Sequence, residues 1–144
     1  MKPKLAQAYM RTAEIFAELS HARRLHVGAI VVKDDRIISI GYNGMPAGWD
    51  NDCENIVGFA QGEPVLKTKP EVLHAETNAI SKLARSSESG EGATMFITHS
   101  PCLECAKLIY QSGIARVYFG QQYRDNQGIK FLENCNIEIQ QLDV

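Results

Sequence analysis

Apolar positions along the chain fall into two kinds of repeat, and the alternation between them predicts the fold. Over residues 4–20, Leu5, Ala8, Tyr9, Thr12, Ile15, Phe16 and Leu19 recur at steps of three and four, which predicts a helix burying that stripe. Residues 27–32 and 36–42 are rich in β-branched side chains and are joined by Lys33-Asp34-Asp35, a polar turn, so a hairpin is expected. The run Gly41-Tyr42-Asn43-Gly44-Met45-Pro46-Ala47-Gly48 ends regular structure. Residues 45 to about 70 then read as one long connection, a length usually found in functional loops. Beyond it, helical and strand patterns alternate: helix 74–84, strand 93–98, helix 102–111 closed by Gly113, strand 117–119, helix 128–134 and strand 137–142. Such alternation predicts an α/β sandwich with one mixed sheet, as a single domain over residues 1–144.

Composition narrows the function classes. With 44% hydrophobic and 22% charged residues, the chain is expected to fold rather than stay disordered. A net charge of −2 offers no basic footprint for a polynucleotide, so a small nucleotide is a better fit than nucleic acid. No apolar stretch is long enough to span a membrane and the N-terminus has no export-type hydrophobic segment, so a cytoplasmic location is expected. Of four cysteines, Cys53 and Cys135 are expected as free thiols.

The other two cysteines carry the chemistry. Pro101-Cys102-Leu103-Glu104-Cys105 and His74-Ala75-Glu76 offer one imidazole and two thiolates. Three such ligands hold a tetrahedral Zn²⁺ with one position left for water, the layout of a catalytic site. Zinc lowers the pKa of a bound water to roughly 7. Glu76, two residues past His74, is placed to move the proton of that water to a leaving group. Cys102 and Cys105 share one helical face, and both ligand groups fall at helix N-termini, where partial positive charge favours thiolate over thiol. A structural zinc would instead need a fourth ligand, for which Cys53, Cys135 or His99 is the candidate, and would have no use for Glu76.

The H-x-E…P-C-x-x-C signature is that of the zinc nucleobase deaminases. With residues 27–32, Gly41-Tyr42-Asn43-Gly44-Met45-Pro46-Ala47-Gly48, residues 74–80, Pro101 through Lys107 and Ser112-Gly113-Ile114, the chain resembles the cytidine deaminase-like superfamily. The glycine-rich stretch points within it to the deoxycytidylate (dCMP) deaminases. That resemblance implies a three-layer α/β/α sandwich around a five-stranded mixed sheet and hydrolysis of dCMP to dUMP and ammonia, supplying thymidylate synthesis. It also implies a homohexamer, activated by dCTP and inhibited by dTTP, with Mg²⁺ accompanying the triphosphate.

Carried over by position, His74, Cys102 and Cys105 would hold zinc and Glu76 would shuttle the proton. Substrate would be met by Asn43, Val72, Ala75, Asn78, Ile80, Arg85, Ser100 and Tyr123, with Arg85 and Tyr123 at the 5′-phosphate. Arg24, Gly44 and Gly48 would belong to an effector site. Plainer roles stay open: Asn43 as a turn residue, Arg85 as a solvated surface arginine, Tyr123 as half-core, Asn78 as a backbone brace. Where relatives carry a cysteine for a second zinc, this chain has Ala22 in Ser20-His21-Ala22-Arg23-Arg24, so one zinc per chain is expected. A deaminase of another nucleoside, base or tRNA adenosine is the alternative, and a non-catalytic zinc module the more distant one.

Overall fold

The computed structural model describes residues 1–123 and 125–144. Helix α1 (Pro3–Ala17) precedes the hairpin of β1 (Gly28–Lys33) and β2 (Arg36–Tyr42). A second hairpin follows, β3 (Glu54–Ala60) and β4 (Glu63–Thr68). Then come α2 (Ala75–Ala84), β5 (Thr94–His99), α3 (Leu103–Gln111), β6 (Arg116–Gln121), α4 (Gln127–Asn134) and β7 (Glu138–Gln141). The main sheet has five strands in the order β2-β1-β5-β6-β7. β1 pairs antiparallel with both β2 and β5, whereas β5, β6 and β7 run parallel, so the sheet is mixed as expected.

Helices cover both faces, which explains why β1 is apolar without interruption. Ala29 and Val31 point into the larger core beneath α2, α3 and α4, with Met95, Ile97, Ile109, Val117 and Leu132. Ile30 and Val32 point to the other side, against Met10 and Ala13 of α1, Phe96 and Tyr118. A strand buried on both faces has no polar alternation to show. The β1–β2 connection is a two-residue turn with positive φ at both Asp34 and Asp35 (52° and 59°), the geometry that matches the twist of a hairpin.

Two sequence expectations are corrected. The buried stripe of α1 is Ala6, Met10, Ala13 and Ala17, while Leu5, Ile15 and Leu19 face outward. The cause lies in β1: a Cβ on Gly28 would run into the backbone of Ala13 and Ala17, so at those two positions α1 lies too close to the sheet for larger side chains. The long connection after residue 45 contains the β3–β4 hairpin, turned at Gln61 and Gly62, again with positive φ at both (53° and 79°). Its side chains Ile56, Val57 and Phe59 are exposed, so neither face shows the alternation that marks a half-buried strand.

Candidate active site

Two helix starts meet just past the C-terminal end of β5, the middle strand of the sheet. His74 is the N-cap of α2 and Cys102 the N-cap of α3, its Sγ accepting from the Cys105 N–H at 3.5 Å. α2 reaches this position because Gly41 in β2 has no Cβ. One there would overlap the Ala75 carbonyl and come within 2.6 Å of the Ala79 nitrogen. Asn78 Nδ2 adds a brace by donating to the Tyr42 carbonyl at 2.8 Å. A bridge between Gly44 and Leu73 (3.1 and 2.8 Å) ties the chain just before His74 to the end of the first hairpin.

His74 Nδ1 lies 3.2 Å from Cys105 Sγ and 3.8 Å from Cys102 Sγ. Nitrogen and sulfur donors about 2.0–2.3 Å from a tetrahedral zinc would stand roughly 3.3–3.8 Å apart. The three donor atoms all fall within 4.8 Å of one another, and among the described residues no fourth His, Cys, Asp or Glu joins them. Cys105 is buried, whereas His74 and Cys102 face outward. The donor set and spacing fit Zn²⁺ with one open position. Cys53, Cys135 and His99, the sequence candidates for a closing fourth ligand, stand outside the group.

The electrostatics of the protein alone point the same way. Hydrogen bonds from the Cys105 thiol and then from His74 bring Cys102 down to about 4, so it is a thiolate. The same Cys102 contact, with burial, pushes Cys105 upward. His74 is raised, chiefly by its bond to Cys102. A thiolate, a thiol and an imidazole this close share protons among them, and a dication is the natural replacement for those protons. Glu76, in the first turn of α2, is 5% exposed, and burial lifts its carboxyl to about 7. A group poised there can accept and return a proton near neutrality.

His74, Glu76 and Cys102 line a cleft of about 110 Å³ together with Asn43, Val72, Ala75, Ser100 and Tyr123. Asn43 forms part of its wall by pinning the opposite segment: Oδ1 accepts from Val27 N and Nδ2 donates to the Leu25 carbonyl, both at 2.9 Å. Ser100 is buried and its Oγ accepts from Tyr123 N at 2.9 Å, while the Tyr123 ring meets His99 edge-on at 6.3 Å.

Other expected residues lie elsewhere. Ile80 is in the core and Asn78 braces backbone, neither lining the cleft. Arg85 is exposed at the C-cap of α2 and does not line it either. Eleven residues of helix past His74 carry Arg85 about 16 Å along the axis. Arg24, expected with Gly44 and Gly48 at an effector site, instead lines the cleft itself, and those two glycines do not. Gly48 sits in a turn with φ of 85°. The cleft residues that sequence reasoning missed are chiefly Glu54, Thr68 and His99. A polar pair in an unrecognised hairpin gave no signal, whereas His99 was noticed only as a possible metal donor.

Comparison with known proteins fits this geometry. The profile of the cytidine and deoxycytidylate deaminase zinc-binding region matches residues 3–121. The chain belongs to this family. Among its relatives, the deoxycytidylate deaminase of Enterobacteria phage T2 is 35% identical over 93% of this chain and 90% of its own length. The human deoxycytidylate deaminase is 40% identical over 82% of this chain and 66% of its own. A crystal structure of dCMP deaminase from the cyanophage S-TIM5, in complex with dCMP and dUMP, superposes with a TM-score of 0.87. It is 44% identical, and the match covers 99% of both chains. The family's zinc-binding region includes both halves of the donor set described above, residues 74–76 and 101–105.

Proposed function

We propose that the chain is a zinc-dependent deaminase, one domain over residues 1–144, that hydrolyses dCMP to dUMP and ammonia. The observation that carries this reading is a buried Glu76 sharing one cleft with His74 and Cys102 of the donor set that Cys105 completes, with Arg24 lining the same cleft. The likeness to a phage enzyme crystallised with dCMP and dUMP supports the choice of substrate.

His74, Cys102 and Cys105 hold the metal in this reading. When bound, zinc supplies the Lewis acidity that makes water a usable nucleophile at neutral pH. Glu76 takes a proton from the attacking water and carries it to the departing amino nitrogen. A C–O bond forms at the carbon that loses its C–N bond, and ammonia leaves. Burial keeps the Glu76 carboxyl near neutrality in its proton affinity, which suits a group that must do both steps. Asn43 and Val72 wall the base and sugar, and Arg24 with Tyr123 receives the 5′-phosphate. An arginine suits that task because its planar fork matches phosphate oxygens. Arg24 thereby replaces Arg85 in the phosphate role within one chain. Regulation by dCTP and dTTP with Mg²⁺, a hexameric assembly and a cytoplasmic location complete the reading, supported by resemblance.

The test is conversion of dCMP by zinc-loaded protein, followed by loss of cytosine absorbance, beside deoxycytidine and dCTP and with or without Mg²⁺ triphosphates. Turnover of dCMP well above deoxycytidine is expected. Turnover of deoxycytidine or another amino base without dCMP would overturn the substrate, and no turnover by zinc-loaded protein would overturn the enzyme.

A further inference from the structure

The base of the β3–β4 hairpin closes on the segment that carries Arg24. Glu54 opens β3 with its side chain 1% exposed, and its Oε2 accepts the backbone N–H of both Arg23 and Arg24 at 2.9 Å. Opposite it in register stands Thr68, the last residue of β4, whose Oγ1 accepts from Arg24 Nη1 at 3.0 Å. One cross-strand pair therefore holds one arginine at two points, its amide and its guanidinium. Arg23 secures the same corner, its Nη2 reaching Asp52 Oδ1 at 2.9 Å and the Glu54 carbonyl at 3.3 Å. Glu54 Oε1 has Arg23 Nε at 3.5 Å and no hydrogen bond among the described residues. Glu54, Thr68 and Arg24 all line the cleft that contains Glu76.

A buried carboxylate is a costly tie for a surface hairpin unless its hydrogen bonds serve a further purpose. Arg24 is an exposed, long side chain that would otherwise have to be ordered each time an anion bound. Fixing its amide and its guanidinium beforehand removes that cost from the binding step.

On the dCMP reading above, we propose that Glu54 and Thr68 are positioning residues that preset Arg24 for the 5′-phosphate, so that the β3–β4 hairpin sets the preference for nucleotide over nucleoside. Neither residue touches the reacting atoms. Both act through Arg24.

Four variants, Glu54→Ala, Glu54→Gln, Thr68→Val and Arg24→Ala, test this, with zinc content checked in each. KM and kcat are measured for dCMP and deoxycytidine, and calorimetry compares binding of dUMP with deoxyuridine. Loss of charge-assisted bonds predicts a rise in dCMP KM of about tenfold for Glu54→Ala and about threefold for Thr68→Val. The penalty on dCMP should exceed that on deoxycytidine several-fold, and the affinity gap between dUMP and deoxyuridine should narrow in step. Glu54→Gln keeps an acceptor oxygen for the two amides and should recover most of the loss. Adding Glu54→Ala to Arg24→Ala should raise dCMP KM no further. Equal losses on dCMP and deoxycytidine, or additive effects with Arg24→Ala, would overturn the positioning role. Should Glu54→Ala fail to fold, Thr68→Val and Glu54→Gln decide by the same criteria. A wild-type protein that neither deaminates dCMP nor prefers dUMP to deoxyuridine would sink the dCMP reading and this role with it. An active wild type with insensitive variants sinks the role alone.

Discussion

Replacing Gly41 with alanine tests whether sheet packing sets the chemistry. Gly41 is buried in β2, opposite Ala29, and its missing Cβ makes room for α2. A Cβ there would overlap the Ala75 carbonyl and stand 2.6 Å from the Ala79 nitrogen. Both obstacles are helix backbone, so no side-chain rotation relieves them. Ordinary contact begins near 3.5 Å, so α2 must retreat by about 1 Å. His74 caps that helix and Glu76 lies in its first turn, so the retreat displaces a donor-set residue and the proposed proton carrier together. Overpacking of this kind costs about 1–3 kcal/mol, which for a chain of this size lowers Tm by roughly 3–12 °C. A misplacement of about 1 Å at the site predicts a loss near 10²-fold in kcat/KM. The assay pairs dCMP turnover with thermal unfolding and zinc content. Gly58→Ala is the control, because a Cβ there meets nothing within 4 Å. Wild-type kcat/KM in folded Gly41→Ala would show that α2 does not depend on this contact, and the account of how the site is positioned would fail.

Other outcomes follow from the same geometry. Glu76→Gln should cut kcat by about 10²–10⁴-fold while zinc content, measured by metal analysis, stays at the wild-type level, because Glu76 stands outside the donor group. If zinc is lost as well, Glu76 is a ligand and not the proton carrier. Phe96, fully buried and stacked on Tyr118 at 5.0 Å, should cost about 3–5 kcal/mol on truncation to alanine in urea unfolding. Phe59, 73% exposed at the hairpin tip, should cost less than about 0.5 kcal/mol in the same measurement. Equal costs for the two would refute the core assignment.

The metal half of the site was legible in the sequence because its spacing is local. Cys102 and Cys105 share a helical face whatever surrounds them, and Glu76 is tied to His74 by two residues of chain. The five strands of the main sheet were legible too, since β1 and β5 are apolar runs bounded by turns and β2 completes a tight hairpin. The β3–β4 hairpin was not, because Gly58 and Pro64 interrupt its pattern and its side chains stay exposed. Periodicity records burial, and a hairpin held by its base buries too little to leave a record.

Hydrophobicity found α1 but chose the wrong face. It weighs Leu5, Ile15 and Leu19 above alanine, whereas the distance between helix and sheet, set by Gly28, decides which side chains fit. The arginine that lines the cleft shows the same division. Arg85 lies close to Glu76 in sequence, yet the rise of α2 carries it away from the cleft, and Arg24, some fifty residues before Glu76, is folded into it. By itself, then, the sequence determined what depends on neighbours along the chain: the elements of the main sheet, the donor set and the place of Glu76 beside it. Only the tertiary structure decided which helix face is buried and which arginine lines the cleft, because both depend on distances between segments that the order of residues does not encode.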